Sequence, residues 1–136
     1  MRRKSLGWTR AKINATDKLH SLVVRERDQH RCQWPACGRS KAGGWQMHCA
    51  HIFSRRYKQT RWLAVNALTL CAVHHQWATE HETEWKEFAR QRIGEQTYTR
   101  LLILAKGPAA RAPDEFAARL ILREELARLK RERVTA

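Results

Sequence analysis

The segment "CAVHHQW", residues 71–77, places a cysteine three positions before the first of two adjacent histidines. A cysteine and a histidine at C-x2-H spacing form half of a common zinc-binding set. Adjacent residues at the start of a helix point about 100° apart, so neighbouring side chains meet different partners. The sequence therefore predicts one role for His74 and a separate role for His75.

A second pair of ligands lies upstream, where Cys32 and Cys37 form a C-x4-C pair. Together with Cys71 and His74 they make a Cys3His set, which suits the tetrahedral preference of zinc. The alternative is that these cysteines are small buried hydrophobic residues. We favour zinc because the charged, turn-rich segment 30–41 has few other means of staying ordered. A closed four-ligand site has no open coordination position, so this zinc is predicted to be structural.

The composition indicates a basic, single-domain protein. The 136 residues include 27 Lys and Arg against 13 Asp and Glu, for a net charge of +14. Such a field attracts polyanions, and aromatic residues lie among the basic ones in "SRRYKQTRW", residues 54–62. We therefore expect a nucleic-acid partner, and the alternative is a merely solvated charged surface.

No segment of the sequence is apolar enough to predict a membrane span. The basic stretch "MRRKSLGWTR", residues 1–10, lacks the apolar run of a signal peptide. Four cysteines in a chain of this kind favour thiolate ligands over disulfides. We expect a cytoplasmic protein without a membrane partner.

The order of turn formers and apolar residues predicts an α+β fold. Residues 1–14 are basic and without apolar periodicity, which predicts a flexible arm. The predicted elements that follow are a helix over about 16–29 with Thr16 as N-cap, a zinc knuckle and loop over 30–46, a strand over 45–53, a basic loop, a strand over 66–70, helices from residue 71 to residue 107, and a last helix opened by Pro113 and Asp114.

Three segments in this order, "AHIFSRR", "NALTLC" and "CAVHH", resemble the HNH endonucleases of the ββα-metal class. The resemblance covers residues from about 30 to 82. It implies a ββα-metal core with a structural zinc knuckle, flanked by N-terminal and C-terminal helices. On this basis residues 15–110 are predicted to form the nuclease domain with its zinc site, and residues 111–136 a C-terminal helix.

The resemblance also implies site residues. His51 would be the general base, His75 would ligate a divalent cation at the scissile phosphate, and Asn66 would orient His51 or brace the loop between the strands. A neutral histidine suits the role of base because its ordinary pKa is near neutrality. Basic side chains beyond the base are predicted to bind phosphate oxygens: Arg55, Arg56, Lys58 and Arg61.

One position departs from the family pattern. Many members carry an acidic residue or a histidine directly before the base, where it ligates the catalytic metal, and this chain has Ala50 there. Cys49, His48 and His81 are the alternatives for a second ligand beside His75. With His75 alone, the cation would be held weakly, as magnesium often is.

The resemblance implies a metal-dependent endonuclease that hydrolyses phosphodiester bonds of duplex or branched DNA, with structural Zn²⁺ and with Mg²⁺, Mn²⁺ or another divalent cation for catalysis. The segment around His51 is further similar to NinG-like recombination nucleases of phages, which implies phage or mobile-element DNA processing inside a bacterial host cell. Two alternatives stay open: a zinc-stabilised DNA-binding module without cleavage, and an RNA nuclease. The C-terminal helix could also pair with a second copy to form a homodimer.

Overall fold

A computed structural model describes residues 12–108 and 113–135. Within these ranges the chain forms five α-helices and one two-stranded antiparallel sheet, so the predicted α+β class is confirmed at this level. Residues 1–11 of the predicted basic arm lie outside the described part. The elements are α1 (Ala15–Arg27), β1 (Met47–His51), a short 3-10 helix (Ala64–Asn66), β2 (Ala67–Cys71), α2 (Ala72–Glu80), α3 (Glu82–Ile93), α4 (Glu95–Lys106) and α5 (Glu115–Thr135).

The two strands form a hairpin in which Met47 pairs with Cys71 and His51 pairs with Ala67. Every residue of β2 is buried, because the strand is packed by both α1 and α2. β1 is shorter than the predicted strand over 45–53. The backbone groups of the flanking residues form hydrogen bonds outside the sheet. The N–H of Trp45 bonds to the Ser40 carbonyl in a turn, and the N–H of Phe53 bonds to the Asn66 side chain.

Helix α1 begins at Ala15, and its N-cap lies two residues before the predicted one. Asn14 caps it, because the Asn14 side chain accepts from the Asp17 N–H at 2.9 Å and the Asp17 carboxylate accepts from the Asn14 N–H at 2.8 Å. This reciprocal capping box corrects the prediction that Thr16 is the cap. The helix ends at Arg27, and the left-handed conformation of Gln29, at φ 56°, turns the chain away.

The core lies between the hairpin, α1 and helices α2 to α4. Phe53, Leu70, Trp85 and Leu101 are its large buried side chains. Trp77 is half-buried and packs on that cluster. Trp62 is half-buried and donates its indole N–H to Asp17 at 2.9 Å.

Helix α5 packs along α1. Leu122 is buried, and Glu115 accepts hydrogen bonds from Asn14 and Thr16 at 3.0 and 2.8 Å. Phe116, near the start of this helix, is exposed. The predicted homodimer through this helix stays a prediction. Across residues 12–108 and 113–135, no helix combines the length and the apolar character that a membrane span needs.

Candidate metal centre and active site

The four predicted zinc ligands come together at the start of α2. The ligand atoms of Cys32, Cys37, Cys71 and His74 all lie within 4.8 Å of one another. His74 Nδ1 is 3.5 Å from Cys32 Sγ and 3.3 Å from Cys71 Sγ, and Cys37 Sγ is 4.0 Å from Cys71 Sγ. Zinc bonds of about 2.1–2.3 Å in a tetrahedron separate the ligand atoms by about 3.5–3.8 Å. The group can therefore hold a metal ion such as zinc.

Cys71 ends β2 and serves as the N-cap of α2, where its Sγ accepts from the His74 N–H at 3.4 Å. The guanidinium of Arg39 donates to the same sulfur at 3.6 Å. Burial raises the pKa of the Cys71 thiol, but these hydrogen bonds outweigh it and lower the pKa to about 6. Burial raises the pKa of Cys32 to about 12, so a metal ion must displace that proton.

The C-x4-C pair is held by a tight turn. Ala36 and Gly38, on either side of Cys37, have φ values of 60° and 71°, in the left-handed region. Next to Cys32, the Gln33 N–H bonds to the Thr69 carbonyl of β2 at 2.9 Å. The knuckle is therefore fixed to the same strand that ends in Cys71.

An apolar shell covers the histidine ligand of this cluster. The Trp34 ring stacks on His74 with centroids 5.6 Å apart. Trp34 also packs against Trp77 at 4.4 Å and Phe88 at 4.8 Å. Such a shell limits the access of water to the ligands and fixes the orientation of the imidazole ring.

His51 stands at the end of β1, and its Nε2 lies 3.3 Å from the Arg61 carbonyl oxygen. A carbonyl can only accept, so this contact places the proton on Nε2 and leaves the lone pair on Nδ1. Burial lowers the pKa of His51 to about 4, and the nearby His20 acts in the same direction. His51 is therefore neutral at pH 7, as a general base must be.

Asn66 is fully buried and braces the loop between the strands. Its Oδ1 accepts from the Phe53 N–H at 3.0 Å, and its Nδ2 donates to the Phe53 carbonyl at 2.9 Å and to the Thr60 carbonyl at 3.0 Å. Of the two roles considered for Asn66, these contacts match the bracing of the loop. They fix the segment that begins directly after His51.

His75 faces away from the Cys3His cluster and meets His48 of β1. The two Nδ1 atoms are 2.7 Å apart, with the rings nearly perpendicular at 84°. The other two alternatives lie elsewhere: Cys49 Sγ is 4.0 Å from His20 Nδ1, and His81 bonds to the Trp77 carbonyl at 2.9 Å. Within the described ranges no third His, Cys, Asp or Glu side chain joins the His48–His75 pair as a ligand.

Two cavities, of about 570 and 860 Å³, meet at this place, because His51, His75 and Arg56 line both of them. The smaller one also includes Ala50, the position that departs from the family pattern. The larger one includes His48. The expected base and the two-histidine pair thus border the same open space.

The predicted phosphate-binding residues divide into three groups. Arg55 and Arg56 line the larger cavity, and the buried Nη1 of Arg55 makes no hydrogen bond, lying 4.0 Å from the carboxylate of Asp17. Lys58 is exposed and borders neither cavity. Arg61 is held by Asp17 through two hydrogen bonds of 2.8 and 2.5 Å.

Helix α1 also brings a residue to the base that was not among the predicted site residues. His20 is fully buried, and its ring centroid is 5.1 Å from that of His51. Its position on the buried face of α1, with Thr16, Val23 and Val24, follows from helical spacing. The spacing gives no information on which strand that face contacts.

No family model, curated protein or solved structure matches this chain in the comparisons. The resemblance to HNH endonucleases therefore stays a prediction.

Proposed function

We propose that this chain is a metal-dependent endonuclease of the HNH type that hydrolyses DNA phosphodiester bonds. The observation that carries the proposal is the common cavity lined by His51 and by the His48–His75 pair. Hydrolysis of a phosphodiester requires a base for the attacking water and positive charge at the phosphate. This space offers both.

In this mechanism His51 takes a proton from water through Nδ1, while the Arg61 carbonyl holds Nε2–H and keeps the ring in that tautomer. Arg55 and Arg56 line the larger cavity, where their guanidinium groups would bind non-bridging phosphate oxygens. Asn66 keeps the loop that carries these arginines against the strand.

His48 and His75 would hold the catalytic cation. Their nitrogen separation of 2.7 Å is close to the spacing of about 3 Å that adjacent ligands take around an octahedral cation with bonds of about 2.1 Å. The cation would supply charge to stabilise the phosphate in the transition state. Two imidazole ligands suit Mn²⁺, Co²⁺, Ni²⁺ or Zn²⁺ better than Mg²⁺, which prefers oxygen.

The alternative function is a zinc-stabilised DNA-binding module without cleavage. Ala50 favours it, since this position carries no ligand for a cation. The His48–His75 contact also favours it, because one ring can satisfy the other by a hydrogen bond without a metal. Basic groups around the cavities would then serve binding alone. We place this alternative second because it leaves the buried, carbonyl-anchored His51 without a role.

Nicking of supercoiled plasmid tests the proposal. The purified full chain is assayed with added Mn²⁺ or Mg²⁺ and with a chelator weak enough to leave the structural zinc in place. We expect nicking with Mn²⁺ that is lost in His51→Ala and in His75→Ala, with zinc content unchanged. DNA binding without nicking on plasmid and on branched junctions would support the binding module instead.

Substrate competition addresses the finer parts of the proposal. We infer that the natural substrate is duplex or branched DNA in phage or mobile-element processing, on the strength of the sequence resemblance. Excess duplex or branched DNA should then suppress plasmid nicking more strongly than an equal amount of RNA. Stronger suppression by RNA would favour the RNA nuclease.

A further inference from the structure

We propose that His20, Cys49 and His51 form a second transition-metal site, distinct from the Cys3His cluster, and that Zn²⁺ bound there inhibits the protein. The inhibitory part depends on the proposed role of His51 as base. The binding part depends only on the three side chains.

The three ligand atoms are already close. One ligand atom from each of His20, Cys49 and His51 lies within 4.8 Å of the other two. The Sγ of Cys49 is 4.0 Å from the Nδ1 of His20, and the two imidazole centroids are 5.1 Å apart. Contraction by about 0.5–1 Å would reach the ligand spacing of a zinc ion. Side-chain rotations of α1 and β1 residues can provide such a change.

Both histidines are held as metal ligands usually are. His20 Nε2 lies 2.8 Å from the Leu63 carbonyl oxygen, and His51 Nε2 lies 3.3 Å from the Arg61 carbonyl oxygen. Each carbonyl fixes the proton on Nε2 and leaves Nδ1 as the ligand atom. A carbonyl that accepts a hydrogen bond from the other ring nitrogen orients a histidine ligand and increases its basicity toward a metal. The two anchors belong to one loop, so they are positioned together.

A metal ion could reach this site and would keep an open position. Cys49 and His51 line the larger cavity, of about 860 Å³, whereas His20 closes the site from the interior. Three protein ligands leave the fourth tetrahedral position to water or to a phosphate oxygen. A cysteine with two histidines selects Zn²⁺, Co²⁺ or Cd²⁺ over Mg²⁺.

Occupation of the site would inactivate the base. The Cys49 thiol loses its proton to solvent when the sulfur binds the metal, and His51 Nδ1 gives its lone pair to the same ion. His51 can then no longer accept a proton from water. Zinc would thus have two opposite effects on this protein: it orders the Cys3His knuckle, and in excess it stops catalysis.

The test is a Co²⁺ titration of the full chain with its structural zinc bound. Binding is monitored by the near-ultraviolet absorption band that thiolate ligation gives to Co²⁺. Zinc content is measured before and after. We expect one Co²⁺ per chain to give the thiolate band, besides any Co²⁺ held by the His48–His75 pair, and no loss of zinc. Cys49→Ala, which keeps an apolar side chain at this position, should lack the band, and at least about 10-fold more Co²⁺ should not restore it.

His75→Ala is the matched control and should keep the band, because the His48–His75 pair has no sulfur. Absence of the band in the wild-type chain would overturn the proposal. An equal band in Cys49→Ala, or a band that grows only as zinc is released, would overturn it too. These results do not depend on whether the protein cleaves DNA.

The inhibitory part has its own measurement. Excess Zn²⁺ should suppress Mn²⁺-supported nicking by the wild-type chain, and Cys49→Ala should require at least about 10-fold more Zn²⁺ for the same suppression. Equal sensitivity of the two proteins would contradict inhibition through this site.

Discussion

At the scale of single residues, His51 is the group on which the proposed reaction most depends. Burial and the neighbouring His20 lower its pKa to about 4, and the Arg61 carbonyl fixes its tautomer. The ring is therefore ready to accept a proton throughout the neutral range. The low pKa also makes it a weaker base than an exposed histidine, so catalysis must rely more on charge at the phosphate.

This arrangement predicts the pH dependence of cleavage. The base is active when unprotonated, so kcat/KM should fall as the pH falls through about 4, and it should show no loss near the ordinary histidine pKa of about 6.5. The measurement is single-turnover cleavage over this range at saturating Mn²⁺, because protons compete with the cation for His48 and His75. Zinc content is checked at each pH, because acid also protonates zinc ligands. A fall of kcat/KM near pH 6.5 would contradict the conclusion that burial lowers the pKa of His51.

Asn66 gives a second test at this scale. Asn66→Ala leaves the N–H and carbonyl of Phe53 and the carbonyl of Thr60 without their partner. Unsatisfied buried groups cost about 1–3 kcal/mol each, so we expect the three of them to lower the free energy of unfolding by urea by at least about 3 kcal/mol. Gln76→Ala, at an exposed position of α2, should change it by less than about 0.5 kcal/mol.

The spacing of ligand residues made the Cys3His group predictable, because both pairs are local motifs. The partner of His75 was not predictable in the same way: three alternatives fitted the sequence, and only the packing of α2 on β1 brings His48 to it. His20 was missed for a related reason. Its contacts to His51 and Cys49 join residues about thirty positions apart, which no local pattern reveals.

At the scale of elements, α1 supports the loop that anchors the base. Asp17, in the first turn of α1, holds the Arg61 side chain and the Trp62 indole. Burial raises the pKa of Asp17, but the hydrogen bonds from Arg61, the Asn14 N–H and Trp62 outweigh it and lower the pKa. The stabilisation is therefore present at neutral pH and is lost as acid protonates the carboxylate.

Asp17→Asn should destabilise the protein, since it leaves the largely buried Arg61 guanidinium without its counter-charge. Breaking a buried ion pair in this way costs about 3–5 kcal/mol. Urea unfolding at pH 7 measures the loss, and Glu124→Gln, at an exposed position of α5, is the control. A loss no larger than that of the control would show that Asp17 does not fix this loop.

Local signals located the helices and strands but misplaced some of their ends. Both Asn14 and Thr16 are good N-cap residues. Asn14 caps α1 through its reciprocal capping box with Asp17, whereas Glu115 of α5 accepts hydrogen bonds from Asn14 and Thr16 alike. The local capping box therefore sets where α1 begins.

At the scale of the whole molecule, the net charge of +14 predicts a polyanionic partner without telling where it binds. The structure places Arg55 and Arg56 on the larger cavity, next to His51. It also shows that Arg61, equally basic in the sequence, is neutralised by Asp17. The net charge therefore predicts an affinity for a polyanion better than it predicts which surface of the protein contacts the polyanion.

The salt dependence of DNA binding distinguishes an arginine that contacts a phosphate from one that only adds to the net charge of the protein. If Arg55 contacts a phosphate, Arg55→Ala should reduce the slope of log K against log salt by about 0.9 for duplex DNA. Arg131→Ala removes an exposed charge on α5 and should leave the slope unchanged. Fluorescence anisotropy at several salt concentrations measures both, and equal slopes for the two variants would exclude Arg55 as the contact.

We propose that the adjacent histidines of α2 serve two different metals, and a paired measurement on the two residues distinguishes their roles. Zinc content and Mn²⁺-dependent plasmid nicking are measured in parallel for His74→Ala and His75→Ala. We predict that His74→Ala releases zinc and loses the folded state, whereas His75→Ala keeps one zinc per chain and the native fold but no longer nicks DNA. Equal zinc loss in both variants, or full nicking by His75→Ala, would contradict it.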